Sequence, residues 1–111
     1  MLPENITLVV GRNECWSGRA ATEPFEAGWA REAVIFVRAL KEPKGEQPMA
    51  RIEISPDGMR WVAEGAEAPM PSRKDGMTVL RVKHFGNWLR VAADYSPGAE
   101  CTVLVTVHLK A

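Results

Sequence analysis

The chain has 111 residues with equal numbers of acidic and basic side chains, fourteen of each, and 46% hydrophobic content. That length fits one domain, and the composition lies in the range of ordinary globular proteins rather than disordered ones. The charge is also well mixed, with a net −2 over residues 1–30 and +1 over each of 31–60 and 61–111. A nucleic-acid binder is expected to gather a basic stripe that displaces counterions from phosphate, and none is present, so no nucleic-acid partner is expected.

No run approaches the roughly 20 apolar residues that cross a bilayer, so no membrane partner is expected either. Residues 1–10 lack a basic n-region and a long apolar core, so no signal peptide is read there. The expectation is a protein that is cytoplasmic as synthesised, with incorporation into a virion as one route out of the cell. Cys15 and Cys101 lie far apart in sequence. Two reduced thiols are expected in that compartment, with a bridge between them left open.

In chain order, short β-branched or alternating runs separated by turn residues predict strands. The first is residues 6–10 (ITLVV), stopped by Gly11. Residues 33–40 (AVIFVRAL) follow, with Val34 and Phe36 on one side and Ile35 and Val37 on the other. A strand apolar on both sides belongs at the centre of a sheet or beneath two covering layers. Residues 51–55 alternate Ile52 and Ile54 with Arg51, Glu53 and Ser55. The turn Pro56-Asp57-Gly58 then leads into residues 59–64, and together these predict a hairpin.

Residues 65–76 (GAEAPMPSRKDG) read as a loop. Two further runs, 77–85 and 88–95, flank a tight turn at Gly86-Asn87. The final run, 101–109, sets Val103, Val105, Val107 and Leu109 on one face against Thr102, Leu104, Thr106 and His108 on the other. Seven strands, or eight with a short one near residues 22–25, predict an all-β antiparallel β-sandwich with jelly-roll or Greek-key-like connections. A single domain over residues 1–111 accommodates them, the last strand pairing with an early one.

Candidate chemistry is thin. His84 and His108 lack a partner motif. Ser17 resembles a nucleophile turn only superficially, and the two cysteines lack zinc-ligand spacing. No phosphate-cradling glycine loop or calcium loop is present. No catalytic residue, metal or cofactor is therefore expected, and the chain reads as a non-enzyme.

The informative segment is the arm at 11–31, which carries Trp16, Phe25 and Trp29 among Arg12, Arg19 and Arg31 without a clear period. Long connections of this kind are usually functional. Two readings stay open. Either the aromatics plug the sandwich, or Trp16, Arg19, Phe25, Trp29 and Arg31 form an interface, since Trp and Arg dominate interface hot spots. For a glycan ligand, Trp16, Trp29 and Trp61 are the stacking candidates.

The stretch Ile52-Glu53-Ile54-Ser55-Pro56-Asp57-Gly58-Met59-Arg60-Trp61 and the later Trp88-Leu89-Arg90-Val91 resemble the paired hairpins of discoidin-type jelly rolls. Similar hairpins occur in small jelly-roll proteins that coat or decorate phage particles. The resemblance covers residues 50–110 and implies a jelly-roll sandwich. Small size, balanced charge, the missing catalytic groups and the aromatic-rich arm lead to two functional expectations. The first is a structural or assembly protein that forms a homo-oligomer or docks on a larger particle, and the alternative is a glycan-binding module.

Overall fold

The last strand is the most completely buried, and it organises the molecule. In a computed structural model describing residues 5–111, Val103, Val105 and Val107 are fully enclosed and Leu109 nearly so. Removing each such side chain from water contributes about 1.5–3 kcal/mol, so a strand with this spacing is driven to the centre of a sheet. It lies there, between the first strand and the fourth.

The strands in order are β1 (Asn5–Trp16), β2 (Arg19–Ala21), β3 (Phe25–Glu26), β4 (Glu32–Ala39), β5 (Met49–Ser55), β6 (Val62–Pro69), β7 (Met77–Lys83), β8 (Trp88–Asp94) and β9 (Cys101–Lys110). Sheet A has the order β1-β9-β4-β7. Sheet B has the order β2-β8-β5-β6, with β3 also pairing to β8. All pairings are antiparallel.

The partnerships are nested. β5 pairs with β6, β4 with β7, β2 and β3 with β8, and β1 with β9. Counting β2 and β3 as one interrupted strand, this is a long hairpin rolled into two layers, the jelly-roll arrangement. The inward faces share one core that includes Trp16, Ile35, Ile52, Leu80, Leu89 and Val105.

The predicted sandwich is present, with differences in detail. Gly11 does not stop the first strand. β1 runs on to Trp16 through two register shifts, between Val9 and Gly11 and between Arg12 and Glu14. Such bulges erase the period-2 pattern while the ladder continues beyond them. The remainder of the 11–31 arm supplies the short strands β2 and β3, so about half of the arm is sheet rather than loop.

The predicted hairpin forms, with a wider turn than Pro56-Asp57-Gly58 alone. Ile54 faces Val62, so Met59 to Trp61 belong to the turn. Ser55 Oγ accepts from the amides of Asp57 (3.2 Å) and Gly58 (2.8 Å). Asp57 Oδ1 accepts from those of Met59 and Arg60, both at 2.9 Å.

The region read as a loop from residue 65 remains strand until Pro69. Gly86 and Asn87 do not close a hairpin, because β7 lies in sheet A and β8 in sheet B. The run ends at Lys83, and a positive φ of 54° at His84 redirects the chain so that Phe85 enters the core.

Candidate interaction surface

The two outer faces of the sandwich differ in chemistry. On sheet B, alternation turns Arg51, Glu53 and Ser55 of β5 outward, and Trp88, Arg90, Ala92 and Asp94 of β8 join them. Glu53 is only 8% exposed and lies between two arginines. Arg90 Nε donates to Glu53 Oε1 at 2.7 Å, and Arg51 Nε donates to Glu53 Oε2 at 2.9 Å. Arg51 also reaches Asp94 Oδ2 at 3.1 Å.

Burial by itself would raise the pKa of the Glu53 carboxyl. The hydrogen bonds and charges of Arg90 and Arg51 outweigh that effect and hold it below the usual carboxylate range. The Arg90 guanidinium also stacks on Trp61, 4.4 Å from the ring centroid. Arg51, Glu53, Arg90 and Asp94 are thus matched among themselves within the chain.

Sheet A is different. Its strand β4 is internal, flanked by β9 and β7, and its inward Ile35 and Val37 are fully buried. Its outward Val34 and Phe36 have no second layer over them and remain half-buried. Register places Val79 of β7 beside Phe36, Met77 beside Arg38, and Thr106 of β9 on the other side of Phe36. Leu104 of β9 and Val9 of β1 extend the same face.

Met77 is 61% exposed and Val9 43%. A shallow depression of about 240 Å³ opens among Phe36, Arg38, Met77, Leu104, Thr106 and His108. The result is an apolar stripe three to four strands wide. Its polar members include Thr106, His108, which meets the Phe36 ring edge-on at 5.3 Å, Arg38, paired with Asp75 at 2.9 Å, Arg81 beside Val34, and Arg12 beside Leu104.

The candidate residues of the arm do not converge. Trp16 is buried opposite Cys101, and Phe25 is buried opposite Leu89. Both serve the core, which corrects their assignment as interface residues and that of Trp16 as a stacking platform. The physical reason is strand phase, since each falls on the inward side of its strand. Arg19 is exposed beside Asp94 at one end of β8.

Trp29 (40% exposed) and Arg31 lie toward the other end, where Arg31 bonds through its backbone to Lys110 and His84. Trp61 is half-buried under Arg90. Sequence reasoning missed the outward stripe of sheet A, although Val34 and Phe36 on a doubly apolar strand were its signal.

Other reactive groups are separate from this surface or occupied within it. His108 Nδ1 and Thr7 Oγ1 share a hydrogen bond of 3.2 Å, while His84 is in the connection from β7 to β8. Cys15 and Cys101 are free and lie on opposite faces of sheet A, Cys15 outward and Cys101 inward. Burial, with a smaller contribution from Cys15, pushes the Cys101 thiol up to about 11. Among the described residues no group of three or more His, Cys, Asp or Glu side chains could hold a metal ion, and no helix is long and apolar enough to cross a membrane.

Comparison with known proteins gives one informative likeness. No family model matches the chain, and neither does any curated protein. Among solved structures, the crystal structure of the SPBc2 prophage-derived protein YomS aligns with 100% of this chain and 96% of its own, at a TM-score of 0.66 and 10% sequence identity. At that identity the likeness is one of fold.

Proposed function

We propose that this chain is a non-catalytic structural protein that assembles, with copies of itself or on a larger particle such as a virion, through sheet A. One observation carries the reading. The internal strand β4 carries apolar Val34 and Phe36 mid-strand on its uncovered face as well as Ile35 and Val37 on its covered one, and neighbouring strands extend the bare side with Val79, Met77, Leu104 and Val9. Contiguous exposed apolar surface of this kind marks interaction sites. The balanced charge of the chain opposes association little. The shared fold with a prophage-derived protein is consistent with a role in a phage particle.

Light scattering across a concentration series tests the reading. The native chain is expected to scatter as an oligomer, and Phe36→Glu, which places a charge mid-stripe, is expected to shift it to monomer while it stays folded by circular dichroism. A native chain that stays monomeric at the highest soluble concentration and does not bind phage particles would overturn the proposal. A glycan-binding reading has a narrower basis, the half-buried Trp61 and Trp88 beside Arg90 on sheet B. A glycan array followed by tryptophan-emission titration tests it, and unchanged emission with every sugar removes it.

A further inference from the structure

Each sheet ends in two strands with unpaired backbone groups, and natural proteins blunt such edges against unwanted pairing. Three of the four edges here are blunted. β1 carries two register shifts. The β2–β3 edge consists of three-residue and two-residue pieces separated by residues that include Pro24. β6 slips register opposite Arg51 and Glu53, has Gly65 at a φ of 118° and ends at Pro69. β7 differs in keeping an unbroken backbone, running seven residues in register with β4 with neither glycine nor proline, and its edge is marked only by the charges of Arg81 and Lys83.

The phase of its hydrogen bonds follows from two contacts just outside it. Ala39 donates to Gly76 O at 3.0 Å and His84 donates to Arg31 O at 3.2 Å. Bonded and non-bonded pairs alternate in an antiparallel ladder, so Thr78, Leu80 and Val82 direct their amides and carbonyls toward β4. Met77, Val79, Arg81 and Lys83 therefore direct theirs to the open edge. Among the described residues β7 pairs with no strand other than β4.

We infer that two copies of the chain join β7 to β7 in antiparallel fashion across a twofold axis at Leu80, fusing two four-stranded sheets into one. This rests on the assembly reading above and names its first contact. In that register Val79 faces Arg81 of the partner subunit and Met77 faces Lys83 of the partner subunit. Every bonded pair then joins two residues whose backbone groups are free. Each basic side chain also meets an apolar one.

Other arrangements are worse. Parallel pairing in register places Arg81 beside Arg81 of the partner subunit. An antiparallel slip by two residues one way opposes those same arginines, and a slip the other way shortens the overlap. Like charges directly opposite are destabilising, so Arg81 and Lys83 select the orientation. The interface is isologous and closes at two copies, and it merges their apolar stripes into one broader surface.

Amide hydrogen exchange read by NMR, with sedimentation on the same samples, tests this. The amides of Met77, Val79, Arg81 and Lys83 are expected to exchange quickly in dilute protein and become protected as concentration rises. Val79→Lys, which sets a like charge against Arg81, is expected to weaken the dimer about tenfold, and Val79→Glu to strengthen it several-fold. Opposite effects from two polar substitutions at one position would not arise from a general loss of stability. Association without protection of these four amides overturns the edge pairing and leaves the assembly reading standing. No association at any concentration overturns both.

Discussion

Glu53 shows how a charged residue comes to rest on the outer face of a sheet with little solvent contact. Its position opposite Arg90 and two residues from Arg51 supplies a cation to each carboxylate oxygen. Its folded pKa is depressed, so its contribution is fully present above the unfolded value near 4.5 and is lost as pH falls through the lower folded value. Glu53→Gln removes the charge and leaves two guanidinium groups close together. That substitution is expected to cost about 1–3 kcal/mol at neutral pH and to flatten the acid limb of the stability curve. Urea unfolding at pH 7 and at several acidic values measures both effects. None of this lattice could be read from composition, because it depends on register across β5 and β8, whereas the alternation of Arg51 and Glu53 with Ile52 was plain in the sequence.

At the scale of elements, the β5–β6 hairpin was the most legible feature, because Ser55, Pro56, Asp57 and Gly58 each have a local reason to turn the chain. Gly58 shows how narrow that reason is. Its φ is 79°, and a Cβ added there would meet the Trp88 ring at 3.3 Å. Gly58→Ala is expected to cost about 1–3 kcal/mol, checked by thermal or urea denaturation. The far end of β6 was illegible for the opposite reason. Ala66, Glu67, Ala68 and Pro69 have weak strand preference, and pairing with β5 extends the strand through them. The same holds for β1 beyond Gly11, where β9 dictates a ladder that local pattern conceals. The arm aromatics could be seen as important but not assigned a side, since only tertiary phase decides that Trp16 points inward while Trp29 does not.

For the whole molecule, nested pairing means that most contacts join residues distant in sequence. The innermost pair, β5 with β6, closes a short loop, whereas β1 with β9 joins residues as far apart as Asn5 and Lys110. Loop-closure entropy must be met before the outer pairs stabilise anything, so refolding is expected in milliseconds to seconds rather than microseconds. Stopped-flow tryptophan fluorescence after denaturant dilution measures the rate. If the hairpin leads, Gly58→Ala is expected to slow folding more than it speeds unfolding. The two-layer architecture could be inferred from the sequence, but the order of strands could not, because alternation reports which face a strand buries and not which neighbour it takes.

The position of β9 has a consequence for how the molecule is made. A ribosome delivers β1 first and β9 last, yet β1 and β4 do not touch each other in sheet A and meet only through β9. Until Lys110 clears the exit tunnel, the nascent chain holds two bare strand edges and an open hydrophobic trough. A message truncated before the codon for Cys101 would yield a product locked in that condition, a ready substrate for chaperones and proteases.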